Sequence, residues 1–357
     1  MKKCNYYFET NLEKIVPKYC NYSYKIREQP IKHLEIDYSS FEKISEQIEV
    51  NYGCKPSRTT IYNFKNEVFE NCIKEKIQEE LKYTDKDLSG VFGYDEQYLK
   101  VNSNERVRLA LLDLNTCIVI NRWTVDEFNQ EIFETFLKVS LEGLTVKTIV
   151  TDGYVAYGQV LDAMKCEHHL CTFHIMQDLM IDAIKVMNKN RRKIKTLKKV
   201  IDKNKTKIKR LKTSKAKKAV YKKIRELKKE LRSYKRKQKE WENTIERISN
   251  IFKADTPQKA KRRFNIFFNN IKNLNPIIAK FISNLKHKFE KTINHIGRDD
   301  IPSTNNILER FFGITIPQNL KRRFRTDKGL EIHQYLTEYR WIKRNHKTNK
   351  IKKSVTF

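Results

Sequence analysis

The stretch 149-IVTDGYVAYGQV-160 joins an apolar run to a single acid and a glycine, after which a helical pattern resumes. An apolar run of this length, followed by a helix, is typical of a buried strand in an α/β sheet. Asp152 would then lie at the carboxyl end of that strand, where ligands bind in open α/β sheets. Gly153 would let the backbone turn without crowding that position. The simpler alternative is that Asp152 only caps the following helix.

The residues before this stretch predict three antiparallel strands. The segments VFGYDEQYLKV, RLALLDL and CIVINRW are rich in β-branched and aliphatic residues, and turn-prone residues separate them. A helix at about 125–140 follows, then the strand KTIVTDG, a helix at about 154–164 and a short strand near CEHHLCTF. A meander followed by strand, helix and strand predicts a mixed sheet, and the fold class is therefore α/β.

Positive charge is concentrated in one part of the chain. The 357 residues include 74 Lys and Arg against 43 Asp and Glu, a formal net charge of +31. Residues 189–240 alone contain 26 Lys and Arg and 4 Asp and Glu, so they contribute +22 of that excess. Such an imbalance usually marks a polyanionic partner, most often nucleic acid. The alternative is a solvated surface without a specific partner.

Other classes of protein are disfavoured by the composition. No apolar segment approaches the roughly 18 residues that span a bilayer, and the first residues lack a signal-peptide core. These patterns predict a cytoplasmic protein with no membrane partner. Seven cysteines, an odd number in a chain of 357 residues, argue against a disulfide framework.

The basic segment carries two heptad patterns of apolar residues. The first comprises Ile194, Leu197, Ile201, Ile208 and Leu211, and the second comprises Ile224, Leu227, Leu231, Tyr234, Trp241, Ile245, Ile248 and Phe252. The two registers do not match across 213-TSKAKKA-219. A hairpin of two long antiparallel helices with outward lysines explains this best, and one continuous helix is the alternative. Trp241 is predicted to pack in the core rather than to stack on a base.

The N-terminal part predicts a pair of helices joined by a glycine turn. In 41-FEKISEQIEVNYGCKPSRTTIYNFKNEV-68, a helical pattern ends near Gly53, and Ser57 is a suitable N-cap for a second helix. Helix, turn and helix is the pattern of a DNA-binding helix-turn-helix, and Arg58, Thr59 and Thr60 would then contact a groove. An ordinary helical hairpin is the alternative.

Two further acids are candidates to act with Asp152. Asp95 falls within the first predicted strand, where a charge is costly unless it is paired or binds a metal, and Glu96 points to the opposite face. Glu309 falls in the helical segment 303-STNNILERFFG-313, among residues suited to packing. Carboxylates converging from a sheet and a helix would suit Mg²⁺. A surface ion pair of Glu309 with Arg310 is the competing interpretation.

The cluster 166-CEHHLCTFH-174 has five potential metal ligands within nine residues. This crowding does not match the separated ligand pairs of a zinc finger, so a structural zinc is not expected. A hydrogen-bonded, buried histidine is the alternative to any role in a site.

The motifs GYDEQYLKVN, ALLDLN, VTDGYVAY, CTFH and STNNILERFF together resemble the DDE transposases, which have a ribonuclease-H-like catalytic fold. The resemblance is to prokaryotic insertion-sequence enzymes related to the Mutator-like group and covers roughly residues 90–345. It implies helices on both faces of the sheet and catalytic, metal-binding roles for Asp95, Asp152 and Glu309. It also implies that His174 lies near the active site and contacts the scissile phosphate. A helical insertion before the glutamate would account for its long separation from Asp152.

The resemblance and the sequence pattern together divide the chain into four parts. We expect a helical DNA-binding domain at 1–85, the first part of the catalytic core at 90–178, a basic helical insertion at 179–300, and the final helix with a basic C-terminal region at 301–357. The DNA contacts would include Arg191, Arg192, Lys217 and Lys218 in the insertion, with Arg322 and Arg323 after it.

The implied activity is that of a transposase. Two Mg²⁺ or Mn²⁺ ions would support hydrolytic nicking at terminal inverted repeats and joining of the freed 3′-hydroxyl to double-stranded target DNA. We expect a homodimer or larger assembly on DNA, because two ends must be joined. The alternatives are a non-cutting sequence-specific DNA-binding protein and a ribonuclease-H-like nuclease.

Overall fold

The structure, a computed structural model, describes residues 11–37, 39–70, 74, 75, 79 and 87–355. The predicted N-terminal domain, 1–85, therefore lies partly outside the described residues. The chain divides into two compact units. The first unit comprises Met1–Ser89, Asp95–Thr145 and Asn306–Phe357, and the second comprises Gly90–Tyr94 and Val146–Asn305.

The first unit begins with four helices: α1 (Tyr24–Arg27), α2 (Gln29–Asp37), α3 (Phe41–Tyr52) and α4 (Arg58–Val68). Gly53 ends α3 in the left-handed conformation, with φ of 68°, and the Ser57 hydroxyl caps α4 by accepting from the Thr60 N–H at 3.1 Å. Ile44 and Ile61 are fully buried where α3 and α4 pack. Helix, glycine turn and helix thus have the predicted bounds, and their role in DNA binding stays a prediction.

Five strands form a mixed sheet: β1 (Val91–Val101), β2 (Asn104–Asp113), β3 (Val119–Val125), β4 (Thr148–Thr151) and β5 (Glu167–Leu170). Their order is β3-β2-β1-β4-β5. The pair β2 and β3 is antiparallel, whereas β4 is parallel to both β1 and β5. Asn102 and Ser103, both with positive φ, form the two-residue turn between β1 and β2, a connection that only antiparallel strands can have. The predicted α/β class with a mixed sheet is confirmed.

Two helices connect the later strands, namely α5 (Gln130–Leu141) before β4 and α6 (Val155–Ala163) between β4 and β5. Asn129 caps α5 through its side chain, which accepts from the Ile132 N–H at 2.9 Å. The buried face of α5 includes Phe133, Phe136 and Leu137. The strand, helix and strand between residues 148 and 170 lie where the sequence predicted them.

The second unit contains a hairpin of two long helices, α7 (Thr172–Arg210) and α8 (Ser214–Phe252). Ion pairs join Arg191 to Glu242 and Lys193 to Glu230, as expected for antiparallel neighbours. The chain is thus a hairpin here and not one continuous helix. Trp241 is only 9% exposed and belongs to the apolar core, in agreement with the packing role predicted for it.

Four shorter elements complete the second unit: α9 (Pro257–Asn269), a 3₁₀ turn (Ile271–Asn273), α10 (Pro276–Lys286) and α11 (Phe289–Ile293). Proline occupies the first position of both α9 and α10, where its missing N–H costs nothing. Phe264 and Phe289 stack with ring centroids 4.2 Å apart. In the described part of the chain, no helix is long and apolar enough to span a membrane.

The first unit ends with α12 (Asn306–Thr315) and α13 (Asp327–Val355). Helix α12 buries Leu308 and Phe311 against Leu112 of β2 and Trp341 of α13. Between these helices the chain runs beside the end of β1, where the Lys100 N–H donates to the Lys321 carbonyl at 2.7 Å.

Candidate active site

Asp95 lies in the middle of β1, in the first unit. From this point along the strand, burial alternates, and Gln97, Leu99 and Val101 are buried. Side chains two apart share one face of a strand, so Asp95 is on the face of these three residues and Glu96 is on the other. The Asp95 side chain is partly buried, and its Oδ1 accepts from the Glu96 N–H at 2.8 Å.

Glu309 lies on α12, also in the first unit. Helix α12 is fixed to β1 by the Gln97 amide, which donates to the carbonyls of Phe312 at 3.3 Å and Ile316 at 3.0 Å. Residues 309, 312 and 316 are separated by three and four positions, so they form one stripe along the helix. Glu309 is partly buried and lies three residues before Phe312.

A buried arginine, which is not among the residues predicted from the sequence, holds the end of α12. Arg108 of β2 is completely buried. Its guanidinium donates to the Thr315 hydroxyl at 2.7 Å, to Gln97 Oε1 at 3.3 Å and to Glu338 Oε1 at 2.8 Å. Burial lowers the pKa of Arg108 to about 10, although the Glu338 charge opposes this shift, so the side chain stays charged at neutral pH. The signal was a charged residue inside an apolar strand.

Asp152 follows β4 directly, in the second unit. Its Oδ1 accepts from the Tyr154 N–H at 2.9 Å, a contact that orders the entry to α6. The alternative of a helix cap is not what the contact gives, because the N-cap of α6 is Tyr154, and no side chain caps that helix. A carboxylate has two oxygens and several lone pairs, so this contact is compatible with a further ligand.

Gly153 lies close to a lysine side chain and does not have an unusual backbone angle. It does not have positive φ, in contrast to Gly53 or Gly143. The Lys288 ammonium donates to the Gly153 carbonyl at 2.7 Å. A Cβ at residue 153 would lie only 3.3 Å from Lys288 Nζ. Lys288 was missed from the sequence because it lies far along the chain, in a helical region without a motif.

Residues of the cysteine and histidine cluster make hydrogen bonds within the second unit. His168 Nε2 contacts the Thr151 hydroxyl at 2.8 Å, and His169 Nδ1 contacts the Lys291 carbonyl at 3.0 Å. Burial lowers the pKa of His168 to about 4 and that of His169 to about 3, so both rings are neutral at pH 7. The buried Cys171 sulfur accepts from the Asn305 N–H at 3.3 Å.

His174 lies in the first turn of α7, four residues after Leu170, the last residue of β5. Its side chain is partly buried, and its ring meets the exposed Phe173 ring edge-on, with centroids 5.6 Å apart. A contact with a scissile phosphate stays a prediction for this residue.

A further acid, Asp113, is fully buried at the end of β2. Its carboxylate accepts from the Ser89 N–H at 2.6 Å, and from the N–H groups of Asn115 at 3.0 Å and Thr116 at 2.9 Å. These contacts close the turn between β2 and β3, so the role of Asp113 is structural.

The residues predicted to bind DNA are mostly exposed. Thr59, Arg191, Arg192, Lys218, Arg322 and Arg323 are exposed, and Lys217 is half-buried. Arg58 is also exposed but forms an ion pair with Glu42, and the Thr60 hydroxyl is engaged with Ser57 at 2.8 Å. Lys321, beside Arg322, was not predicted. Burial lowers the pKa of Lys321, and the Asp95 charge opposes that shift.

Within the described residues, no three His, Cys, Asp or Glu side chains form a group that could hold a metal ion. A surface depression of about 590 Å³ is lined by α9 and its C-cap, including Lys261 and Arg262, and none of the three candidate acids lines it. Of the three candidate acids, Asp95 and Glu309 belong to the first unit and Asp152 belongs to the second.

Comparison with known proteins gives one relative at low identity. No family model matches the chain. The chain is 24% identical over 298 residues to the insertion element ISM1 uncharacterized 48.3 kDa protein of Methanobrevibacter smithii, a match that covers 83% of this chain. The chain spans 62% of the length of that relative.

Among solved structures, a match covers 45% of this chain and 59% of a chain in the simian T-cell lymphotropic virus intasome in complex with PP2A regulatory subunit B56 gamma. The two are 12% identical with a TM-score of 0.22. Over most of its length the chain is thus similar to a protein of an insertion element.

Proposed function

We propose that this chain is a transposase with a DDE active site on a ribonuclease-H-like core. It nicks the ends of its element by metal-dependent hydrolysis and joins the freed 3′-hydroxyl to target DNA. The similarity to an insertion-element protein over 83% of the chain supports a transposase-type role. Asp95, Asp152 and Glu309 are the proposed ligands of two Mg²⁺ or Mn²⁺ ions.

The observation that carries the proposal is the register of two strands. β1 and β4 pair in parallel from Val91 with Thr148 to Gly93 with Val150. Asp95 stands two residues after Gly93, and Asp152 stands two residues after Val150. Both aspartates therefore follow the paired part of their strands by the same number of positions. Asp152 is at the carboxyl end of β4, where α/β sheets commonly bind ligands, whereas β1 continues beyond Asp95 to Val101.

The packing of α12 supports the inclusion of Glu309. Gln97 contacts the carbonyls of residues 312 and 316, and farther along β1, Leu99 and Val101 cluster with Ile316. Strand and helix thus run in the same direction. Asp95 precedes Gln97 by two strand residues, a distance of about 6.6 Å, and a helix covers this distance in about 4 or 5 residues. Counting that many residues back from the middle of 312–316 gives a position at or next to Glu309.

Metal binding would complete the site. Carboxylate oxygens suit Mg²⁺. Two such ions activate the attacking oxygen and stabilise the leaving one. The residues Asp95, Asp152 and Glu309 would hold and orient these ions, and His174 would contact the scissile phosphate.

The basic regions would bind the DNA. Residues 189–240, with a charge of +22, are proposed to hold backbone phosphates without sequence preference. The pair α3 and α4, with Arg58 at the start of α4, is proposed to read the terminal repeats. Joining two ends would require two copies of the chain on DNA.

The test is a nicking assay on a supercoiled plasmid that carries the DNA flanking the gene. We expect Mg²⁺-dependent nicking by the wild type and a loss of at least about 10³-fold in Asp95→Asn, Asp152→Ala and Glu309→Gln, because each removes a metal ligand. Glu96→Gln is the matched control, since Glu96 is on the opposite face of the same strand. If Glu96→Gln is as inactive as Asp95→Asn, the assignment of the acids is wrong.

Two other outcomes would identify another function. Specific binding of the flanking DNA without nicking under any divalent metal would indicate a sequence-specific DNA-binding protein that does not cut. Preferential cleavage of an RNA–DNA hybrid over duplex DNA would indicate a ribonuclease-H-like nuclease.

A further inference from the structure

Beside Asp152, the second unit exposes an aromatic ring. Tyr154 is 56% exposed, and its backbone N–H donates to the Asp152 carboxylate. An aromatic side chain contributes most to a fold when it is buried. Tyr154 nevertheless keeps more than half of its surface available to a ligand, two residues from a proposed metal ligand.

The Tyr154 ring is held in place by two buried tyrosines. Tyr157 meets Tyr154 edge-on with ring centroids 5.1 Å apart, and Tyr94 meets Tyr157 in the same manner at 5.5 Å. Tyr157 is 3% exposed and Tyr94 is fully buried. The exposed ring is thus supported from the core, so little side-chain freedom would be lost when a flat ligand stacks on it.

A lysine accompanies this ring. The Lys288 ammonium donates to the carbonyl of Gly153, the residue between Asp152 and Tyr154, at 2.7 Å. Lys291 is different, because its ammonium pairs with the Asp162 carboxylate at 2.8 and 3.0 Å. The Gly153 carbonyl is neutral and takes one of three ammonium donors. The positive charge of Lys288 can therefore serve an anion.

A supported aromatic ring with a cation beside it matches the two parts of a nucleotide. Bases stack on aromatic side chains, and phosphates pair with lysine. In a duplex, both faces of a base are covered by its neighbours, so only an unpaired base can stack on a protein ring. We infer that Tyr154 and Lys288 form a subsite for one unpaired DNA nucleotide, with the base on Tyr154 and its phosphate on Lys288. This inference rests on the proposed function, in which Asp152 binds the metal at the cut.

The test uses the full chain and a short single-stranded oligodeoxynucleotide that carries one 5-iodouracil, without divalent metal so that no cleavage occurs. Irradiation should crosslink the iodouracil to Tyr154, as identified by mass spectrometry of the peptides. Tyr154→Ala should weaken binding roughly tenfold, the loss of one stacked base, whereas Tyr154→Phe should keep affinity within about twofold. Lys288→Gln should weaken binding and reduce the salt slope by about 0.7.

Two control variants separate this subsite from general effects of exposed residues. Tyr98 on β1 is 62% exposed and is on the face of the strand opposite Asp95, so Tyr98→Ala removes a comparable ring elsewhere, and Lys272→Gln removes an exposed charge. Both should bind the oligonucleotide as the wild type does. Equal losses in Tyr154→Ala and Tyr98→Ala, or crosslinks that bypass Tyr154, would overturn the subsite.

The same experiments distinguish the subsite from the proposed function. Crosslinking at Tyr154 in a protein that never nicks DNA with Mg²⁺ would keep the subsite and remove the transposase proposal. Nicking that is equal in wild type and Tyr154→Ala, with no crosslink at Tyr154, would keep the transposase and remove the subsite.

Discussion

Arg108 and the lysines of the α7–α8 hairpin are opposite uses of positive charge. Arg108 is fully buried, and its guanidinium contacts Gln97, Thr315 and Glu338. The hairpin instead presents most of its lysines and arginines to solvent. A buried charge is costly unless it is paired, whereas an exposed one contributes little to stability. The first charge therefore serves the fold, and the second is available to a partner.

The difference shows which part of the charge excess informs on function. The +31 of the whole chain suggested a nucleic-acid partner, but a charge inside the fold cannot contact one. Arg108 fixes the last turn of α12, and α12 carries Glu309. Arg108 would thus support the proposed chemistry by fixing the helix that carries Glu309. The hairpin would support it by binding DNA.

The largest expected effect comes from removing the buried charge. Arg108→Met should lower the free energy of unfolding by up to about 3 kcal/mol, because the buried Glu338 carboxylate would keep only Arg122 as a charged partner. Urea unfolding measures the change. In the double variant Arg108→Met with Glu338→Gln, at least part of the loss should return. If Arg108→Met unfolds at the urea concentration of the wild-type midpoint, the buried arginine contributes as little to stability as an exposed charge does.

Two buried histidines should make the stability of the fold depend on pH. Burial lowers the pKa of His168 and of His333 to about 4, so the unfolded chain binds these protons first as pH falls. Their contribution to stability is complete above pH 6.5 and is lost as pH falls from there through about 4. The loss should reach up to about 3 kcal/mol for each histidine.

Unfolding midpoints measured between pH 7 and 4 would check this. His333→Gln should flatten the pH dependence, whereas His287→Gln, which changes an exposed ring, should leave it unchanged. A His333→Gln variant that is as acid-sensitive as the wild type would contradict the assignment.

The smallest effect is expected at the exposed charges. Replacing Lys217 and Lys218 by Gln should change stability by less than about 0.5 kcal/mol, because both lie at the surface end of the hairpin. Duplex affinity should fall roughly tenfold and the salt slope by about 2, as two phosphate contacts are lost. Salt titration of binding to a labelled duplex measures both. If this variant binds the duplex as tightly as the wild type, or is much less stable, the lysines of the hairpin do not differ from Arg108 in the way described.

Much of the fold could be predicted from local patterns. The β-branched, aromatic and aliphatic residues of 91–101 predicted β1, the two heptad registers predicted the break between α7 and α8, and Ser57 predicted the start of α4. These signals work because side-chain period and capping depend on neighbours in sequence. The three acids were found in the same manner, from their places in motifs.

Contacts between distant segments could not be predicted. Lys288 reaches Gly153 from 135 residues away, and Gln97 reaches α12 from more than 200. A lysine in a basic chain carries no signal of its own, because its role depends on the residue it meets. Arg108 was visible as a charge in an apolar strand, but its partner Glu338 was not. Space beside Gly153 was expected from the sequence, but the Lys288 ammonium that lies there was not.

The ends of the helical region between α7 and α12 meet at one point. The N–H and hydroxyl of Thr172 both donate to the Ser303 carbonyl, at 3.0 and 2.9 Å. The 130 residues between them therefore form a closed excursion whose entrance and exit are adjacent. Doubling the length of such a loop costs only about 0.6 kcal/mol of closure entropy. Evolution can consequently lengthen, shorten or exchange this region at little cost to the sheet, so its size should vary among relatives far more than the strands do.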